Sequence, residues 1–247
     1  MNRFFVLPGS IDKNIITVTG RDVNHIKNVL RLKAQDELVC FDGKGMEYLC
    51  SIESFGKDCV SARILSSKKT DTEPSVKITL AQALPKASKM DFIIQKAVEL
   101  GVHKIIPVIT ERTVVKGSKP DRWNKIAKEA AQQCGRAIIP EVSPVLNFNE
   151  FLELAPSLSR GISTYFDLKL IPWENEKQVS LKSALKEAPD AGNIVVLIGP
   201  EGGFSRNEAG EAVAHGFRPV SLGKRILRTE TAGMAALAMT IYELDNK

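Results

Sequence analysis

The sequence is poor in the side chains that most often hold metal ions. Only four cysteines and three histidines occur among 247 residues. No two cysteines have the C-x-x-C spacing of a zinc site, and the histidines stand too far apart for a ligand pair on one helical turn. We therefore expect no metal centre, and we interpret the cysteines as reduced thiols, most of them buried.

Long hydrophobic runs are missing as well. No apolar stretch approaches the ~20 residues that a membrane-spanning helix needs. Residues 1–8 are too short and too broken to form the apolar region of a secretory signal. We expect a cytoplasmic protein without a membrane partner.

Three widespread ligand-binding signatures are also absent. The chain has no G-x-x-x-x-G-K-[ST] phosphate loop, no G-x-G-x-x-G dinucleotide turn and no G-x-S-x-G nucleophile elbow. These absences exclude a P-loop enzyme and remove the usual dehydrogenase and α/β-hydrolase interpretations.

The charge of the chain is unevenly distributed. The net charge is +5, yet residues 76–140 carry 12 basic and 5 acidic side chains, whereas residues 141–247 carry 11 and 14. A basic segment favours a polyanionic partner, because each lysine or arginine near a phosphate releases condensed counterions. Nucleic acid is therefore a candidate partner; the alternative is a basic face that is merely solvated.

The pattern of apolar residues divides the chain in two. Residues 1–70 show short β-type runs separated by turns, with a helix expected from Asp22, and this is typical of a small barrel or sandwich. Residues 66–75 are polar and charged, which indicates a linker. Strands and helices then alternate, which predicts an α/β domain whose mostly parallel sheet has helices on both faces. The predicted strands are residues 76–83, 104–109, 161–166, 194–199 and 218–222, the predicted helices are residues 88–100, 120–134, 205–215 and 229–244, and residues 167–190 are expected to be less regular.

The predicted strand at residues 194–199 ends in a glycine-rich turn, Gly-Pro-Glu-Gly-Gly, at residues 199–203. Ligands of open α/β sheets lie beyond the carboxyl ends of the strands. Glycines allow the backbone to approach a ligand closely, and the helix that Ser205 can cap has free amides in its first turn. We interpret the turn as a ligand loop; the alternative is an ordinary strand-to-helix turn.

A second candidate loop is residues 222–232, which again join a short strand to a helix. Two arginines and a glutamate stand there among hydroxyl groups, and Thr229 or Thr231 can cap the following helix. Two such loops in one sheet favour a shared ligand cleft, although a basic surface loop with a helix cap would look similar. The pattern itself does not identify the ligand.

Several segments resemble one known family, the ribosomal small subunit methyltransferase E family of the SPOUT class. They are residues 25–31, 83–86, 96–102, 129–136, 198–203 and 222–232. The resemblance implies a PUA-like β-barrel for RNA binding at residues 1–70 and an α/β domain with a deep trefoil knot at residues 76–247. It further implies a homodimer, S-adenosylmethionine as cofactor, and N3-methylation of a uridine in 16S rRNA of the small ribosomal subunit.

The resemblance also implies roles for individual residues. Arg136 matches the place where related SPOUT enzymes keep a catalytic arginine, and it could act across the dimer interface. Glu201 is expected as a base or an orienting acceptor, and Arg228 as a catalytic residue or a contact to the target nucleotide's phosphate. The cofactor cleft is expected between the two loops and a third loop near Phe166. Its expected contacts are Leu197, Ile198, Gly199, Gly203, Leu222, Gly223, Ile226, Leu227, Thr231 and Ala232. The expected RNA contacts are Arg3, His25, Lys27, Arg31, Lys86, Arg112 and Arg122, with Lys89 and Lys116 in the same basic patch.

Two other functions stay open at this point. The chain could be a non-catalytic RNA-binding or ribosome assembly factor that kept the fold. It could also be a SPOUT methyltransferase that acts on another RNA site.

Overall fold

The structure, a computed structural model, describes residues 2–86, 89–114, 117, 119–154 and 166–245. The chain forms two compact units. The first comprises Met1–Glu73 with Lys128–Ile139, and the second comprises Pro74–Ala127 with Pro140–Lys247.

The first unit is built on a six-stranded sheet. Its strands are β1 (Arg3–Phe5), β2 (Ile11–Asp12), β3 (Ile15–Thr19), β4 (Glu37–Phe41), β5 (Met46–Phe55) and β6 (Cys59–Lys69). They lie in the order β1-β4-β5-β6-β3-β2, and all neighbours are antiparallel except β1 and β4. Helix α1 (Arg21–Asn24) continues into a π-helical turn, His25–Val29. Alternate strand residues such as Phe4, Ile16, Leu38 and Val60 fill one buried core.

Strand β6 is longer than the sequence predicted. Residues 66–69 were expected in a linker, but they pair with β5, for example Ser67 with Tyr48 and Lys69 with Met46. Their side chains are exposed, so a polar composition is compatible with a strand whose backbone is hydrogen-bonded. The linker prediction is therefore wrong for these four residues.

A segment from the middle of the chain completes the first unit. The Gly45 amide donates to the Ala137 carbonyl at 3.1 Å, and Lys44 and Ile138 form an isolated β-bridge. The Lys128 ammonium lies 4.4 Å from the centre of the Phe5 ring, a cation–π contact. Helix α3 (Pro120–Cys134) thus contributes its first half to the second unit and its second half to the first.

The second unit contains a parallel sheet. Its strands are β7 (Lys77–Ala83), β8 (Lys104–Ile109), β9 (Glu141–Val142), β10 (Leu146–Asn147), β11 (Leu168–Pro172), β12 (Asn193–Ile198) and β13 (Arg218–Val220). The order is β10-β8-β7-β12-β11-β13, with β9 beside β8, and every pair is parallel. The remaining helices are α2 (Lys89–Glu99), α4 (Phe148–Leu154), α5 (Leu181–Lys186), α6 (Arg206–Ala214) and α7 (Thr229–Leu244).

Helices cover both faces of this sheet. Val195 and Leu197 of β12 pack in one cluster with Phe151 of α4 and Ala212 of α6. The intervening residues of β12 point to the opposite face, which is also buried, and α7 lies against β7 and β12. The predicted α/β architecture with a mostly parallel sheet is confirmed.

One strand differs from the prediction. Of the strand expected at residues 161–166, residues 161–165 lie outside the described residues, and so does Ser88, the expected cap of α2. The structure instead places β11 at Leu168–Pro172, inside the segment expected to be irregular. This strand lies between β12 and β13, and Leu170 and Ile171 are fully buried. In the described part of the chain, no helix is both long and apolar enough to cross a membrane.

Candidate active site

A cleft of about 600 Å³ opens at the carboxyl ends of three neighbouring parallel strands. Its walls are the loops that follow β12, β11 and β13, together with the first turns of α2 and α7. Carboxyl ends of parallel strands meet at the same edge of a sheet, which is where open α/β folds bind their ligands. The volume is that of a pocket for a small organic molecule.

The loop after β12 depends on glycine. The Gly203 amide donates to the Pro200 carbonyl at 3.0 Å and closes a tight turn, in which Gly203 has a φ of +67°. A Cβ at this position would lie 2.5 Å from a carboxylate oxygen of Glu174, and one at Gly199 would lie 3.1 Å from the Phe204 ring. The positive φ therefore disfavours a side chain at Gly203, and the exposed Glu174 carboxylate would have to move to make room for one. The predicted ligand loop thus has a conformation that glycine adopts without strain.

The helix after this loop begins as predicted. The Ser205 hydroxyl accepts from the Glu208 amide and the Glu208 carboxylate accepts from the Ser205 amide, a complete capping box. The other oxygen of Glu208 accepts from the Glu111 amide at 2.7 Å. The loop is therefore anchored at its far end to the segment that follows β8.

The loop after β11 is a wall that the sequence did not identify. Pro172, Trp173, Glu174 and Lys177 line the cleft. The indole nitrogen of Trp173 is buried and has no hydrogen-bond partner among the described residues. A buried donor in a cleft wall is costly unless a ligand or water accepts its proton. These residues were missed because β11 and the loop after it lie inside the segment expected to be irregular; the third loop was expected near Phe166.

Lys89, at the start of α2, forms ion pairs with the loop after β12 and with the first turn of α7. Its ammonium lies 3.3 Å from a carboxylate oxygen of Glu201 and 3.3 Å from one of Glu230. The same Glu201 oxygen accepts from the Lys86 amide at 3.0 Å. Lys89 was predicted only as part of a basic patch; the structure places it in the cleft wall.

These contacts fix the charge states at the cleft. Burial acts to raise the pKa of Glu201, but hydrogen bonds from its own amide, the Lys86 amide and the Lys89 ammonium outweigh it, so the pKa is lowered. Burial acts to lower the pKa of Lys89, but hydrogen bonds to Glu230 and Glu201 raise it. Glu201 is therefore an anion and Lys89 a cation at neutral pH.

Most of the predicted cofactor contacts meet in this cleft. Eight of the ten line it: Ile198, Gly199, Gly203, Leu222, Gly223, Ile226, Leu227 and Ala232. Leu197 belongs to the core beneath the loops, and the exposed Thr231 is not part of the lining. Glu201 and Arg228, two of the three predicted catalytic residues, also line the cleft.

The predicted cap of α7 is not formed. Arg228 occupies the N-cap position, and no side chain caps the helix there. The Thr229 hydroxyl donates instead to the Gly199 carbonyl at 2.6 Å, which connects the two predicted ligand loops.

Arg136 is not among the residues that line the cleft. It belongs to the first unit, where its side chain is 5% exposed and forms an ion pair with Glu73. Arg3 donates to the Arg136 carbonyl at 3.4 Å and forms its own ion pair with Glu47. The guanidinium is therefore largely covered within the first unit. Its catalytic role stays a prediction.

The predicted RNA contacts of the first unit differ in accessibility. Arg31 is exposed and has a φ of +54°, and His25 is exposed with its ring edge against Phe4, so it is not a core residue. Lys27 is half-buried and donates to the Gly56 carbonyl at 2.5 Å. Arg3 is largely buried in its pair with Glu47. Arg31 is the most available of the four for a phosphate.

The predicted RNA contacts of the second unit are all exposed. Lys86 and Arg112 lie beside the glycine loop, where Arg112 donates to the Gly202 carbonyl at 2.7 Å. Arg122 is paired with Asp91, and hydrogen bonding to that carboxylate raises the pKa of Arg122. Lys116 lies outside the described residues. Among the described residues no cluster of histidine, cysteine and carboxylate side chains could hold a metal ion.

Comparisons with known proteins agree with this geometry. Residues 72–241 match a family model described as RNA methyltransferase domain, and residues 18–65 match one described as RNA methyltransferase PUA domain. The ribosomal RNA small subunit methyltransferase E of Bacillus subtilis is 34% identical, over 93% of this chain and 90% of its own length. The enzyme of the same name from Synechocystis is 37% identical, over 96% of this chain and 76% of its own length. The crystal structure of the Neisseria gonorrhoeae enzyme of that name, bound to S-adenosyl methionine, matches with a TM-score of 0.85 and 38% identity over 97% and 96% of the chains.

The cleft, the parallel sheet and the matched domains define an RNA methyltransferase with a PUA domain before its α/β domain. More narrowly, the chain belongs to the ribosomal RNA small subunit methyltransferase E family. The family and the fold class expected from the sequence are thereby confirmed.

Proposed function

We propose that this protein transfers a methyl group from S-adenosylmethionine to N3 of a uridine in 16S rRNA. The observation that carries the proposal is the cleft between the loops after β12, β11 and β13, found in a chain of this family. The Neisseria relative holds the same cofactor. The names of the curated relatives support small-subunit rRNA as the substrate.

The residues of the cleft suit this cofactor. The glycine loop allows the backbone to approach a ligand closely, and Trp173 adds an aromatic side chain to the cleft wall. Backbone groups around Gly199, Leu222 and Leu227 would hold it. S-adenosylmethionine supplies a methyl group that its sulfonium has already activated. The protein must then align the acceptor, exclude water and handle one proton.

The proton is the chemical problem that the protein's side chains must solve. Uridine N3 carries a hydrogen, and the neutral imide is a poor nucleophile. Glu201 has a lowered pKa and is held by Lys86 and Lys89, so it is a weak base and serves as an orienting acceptor. Arg228 lines the cleft with an exposed side chain, and its charge would stabilise the uracil anion that remains when the N3 proton passes to solvent water, or hold the nucleotide's phosphate.

The remaining parts of the proposal concern assembly and RNA. Residues 1–70 would bind RNA and residues 76–247 would carry the reaction. Exposed cations such as Arg31, Lys86 and Arg112 would contact phosphates. The resemblance supports a homodimer and a trefoil knot in the α/β domain.

The test is methyl transfer to defined RNAs. Purified protein is incubated with radiolabelled S-adenosylmethionine and with small ribosomal subunits, naked 16S rRNA or transfer RNA. We expect label in 16S rRNA, from subunits or naked RNA, and none in transfer RNA. RNA binding without transfer would favour the non-catalytic assembly factor, and transfer to transfer RNA would favour a methyltransferase with another target.

A further inference from the structure

A buried polar residue lies directly behind the glycine loop. Gln82, near the end of β7, is fully buried between the apolar residues Ala81 and Ala83. It stands beside Ile198, the last residue of β12, in the parallel register of the two strands. An amide buried at such a place is costly unless its hydrogen bonds are made.

The Gln82 amide is the first member of a hydrogen-bonded relay. Its nitrogen donates to the Ala83 carbonyl at 3.0 Å and to the Thr229 hydroxyl at 2.9 Å. The Thr229 hydroxyl in turn donates to the Gly199 carbonyl at 2.6 Å. The direction is fixed, because a carbonyl can only accept and the hydroxyl has one proton to give. We call this Gln82–Thr229–Gly199 chain the relay.

The relay joins three segments at the cleft: the end of β7, the first residue of α7 and the first residue of the glycine loop. Gly199 and Thr229 themselves line the cleft, whereas Gln82 is not part of the lining. The peptide after Gly199 leads into Pro200 and therefore has no N–H. Its carbonyl is the single polar group of that peptide, so the bond from Thr229 sets how the loop leaves the strand.

We infer that Gln82 is a positioning residue for the methyl-donor cleft, acting through Thr229. It holds the glycine loop and the start of α7 at the spacing that the cofactor needs. This inference rests on the proposed function, since it presumes that S-adenosylmethionine occupies the cleft. The competing explanation is an ordinary buried hydrogen bond that stabilises the fold and leaves the cleft unaffected.

The chain provides a matched control for this distinction. Thr240 lies in the same helix as Thr229 and is fully buried, and its hydroxyl has no hydrogen-bond partner among the described residues. Thr229→Val and Thr240→Val are therefore the same isosteric change, but only Thr229→Val removes a hydrogen bond of the relay. Thr229→Ser keeps the hydroxyl and is the conservative variant expected to rescue.

The experiment measures the Kd of S-adenosylmethionine by calorimetry and the unfolding midpoint of the ligand-free protein. We expect Thr229→Val to raise the Kd about tenfold, equivalent to ~1.4 kcal/mol. The Kd of Thr229→Ser and that of Thr240→Val should stay within about twofold of the wild-type Kd. Thr229→Ser keeps the hydroxyl of the relay, and Thr240 takes no part in the relay.

The outcomes separate the inference from the proposed function. A wild-type protein that does not bind S-adenosylmethionine would contradict the proposed function. A wild type that binds, with Thr229→Val of equal affinity and a lowered unfolding midpoint, would overturn the relay alone. If Thr229→Val does not fold, the Kd of Gln82→Met is measured instead. That substitution removes the hydrogen-bond donor of the relay without shortening the side chain. An increase in Kd of threefold or more supports the relay, and an unchanged Kd overturns it.

Discussion

Arg136 offers the sharpest test of where the structure departs from the family-based expectation. We predict that Arg136→Met destabilises the first unit and leaves cofactor binding unchanged. The substitution keeps a long unbranched side chain but removes the ion pair with the Glu73 carboxylate, in which the two side chains are 5% and 22% exposed. Removing one member of a buried pair costs ~3–5 kcal/mol, and because Glu73 is partly exposed we expect the lower end, ~3 kcal/mol.

The assay must report on the first unit. Trp123 and Trp173, the two tryptophans of the chain, both belong to the second unit, so fluorescence would miss the effect. Hydrogen exchange of peptides from β4 and β5, read by mass spectrometry, reports on the correct sheet. A loss of ~3 kcal/mol corresponds to roughly 100-fold faster exchange of the slowest amides. The Kd of S-adenosylmethionine should be that of wild type.

A matched control is Arg122→Met. Arg122 also forms an ion pair, with Asp91, but its side chain is 60% exposed, so its loss should leave the exchange rates nearly unchanged. Unchanged exchange in Arg136→Met, together with lost methyl transfer and intact cofactor binding, would refute this reasoning. That result would restore the catalytic role that the resemblance implied.

Three further predictions concern the cleft and the RNA. Gly203→Ala should raise the Kd of S-adenosylmethionine about tenfold in calorimetry, because alanine is strained at a φ of +67° and its Cβ displaces the Glu174 carboxylate, whereas Gly210→Ala, with open space around its Cβ, should bind normally; equal affinity of the two would exclude the glycine loop from the site. The pKa of Glu201 is lowered, so its ionised form stabilises the fold above its ordinary value of 4.5, and this stabilisation is lost as the pH falls through the folded value. The difference in unfolding free energy between wild type and Glu201→Gln should therefore be largest above pH ~4.5 and shrink in acid; a difference that grows in acid would contradict the assignment. Arg31→Ala should weaken RNA binding and reduce the slope of log K against log salt by about one, measured by filter binding, while an unchanged slope would exclude a phosphate contact.

The cleft could be predicted in part because its signals are local. The uninterrupted apolar run of β12 and the glycines that follow indicated a buried strand and a ligand loop, and both are present. The Ser205 cap of α6 could be predicted for the same reason, since Ser205 stands directly before the first helical residue. Such features need only neighbouring residues to form.

The features that were missed depend on distant contacts. Strand β11 contains Lys169 and ends at Pro172, and these residues interrupt the apolar pattern that would indicate a buried strand. The segment is a strand because β12 and β13 pair with it on either side. Arg136 follows α3 in sequence, yet its neighbours Glu73 and Arg3 come from far earlier in the chain. Thr229 is a residue type that often caps helices, but its hydroxyl donates to the Gly199 carbonyl and accepts from the Gln82 amide. No local pattern encodes these partners.

Methylation of uridine N3 in 16S rRNA can be measured on the product itself. RNA from the transfer reaction is digested to nucleosides and identified by mass spectrometry against standards, and S-adenosylhomocysteine is quantified in the same sample. The account predicts N3-methyluridine in a 1:1 ratio to S-adenosylhomocysteine, on the order of one per 16S rRNA molecule, since a single base must be presented unstacked. A ribose-methylated nucleoside, or S-adenosylhomocysteine without methylated uridine, would contradict it.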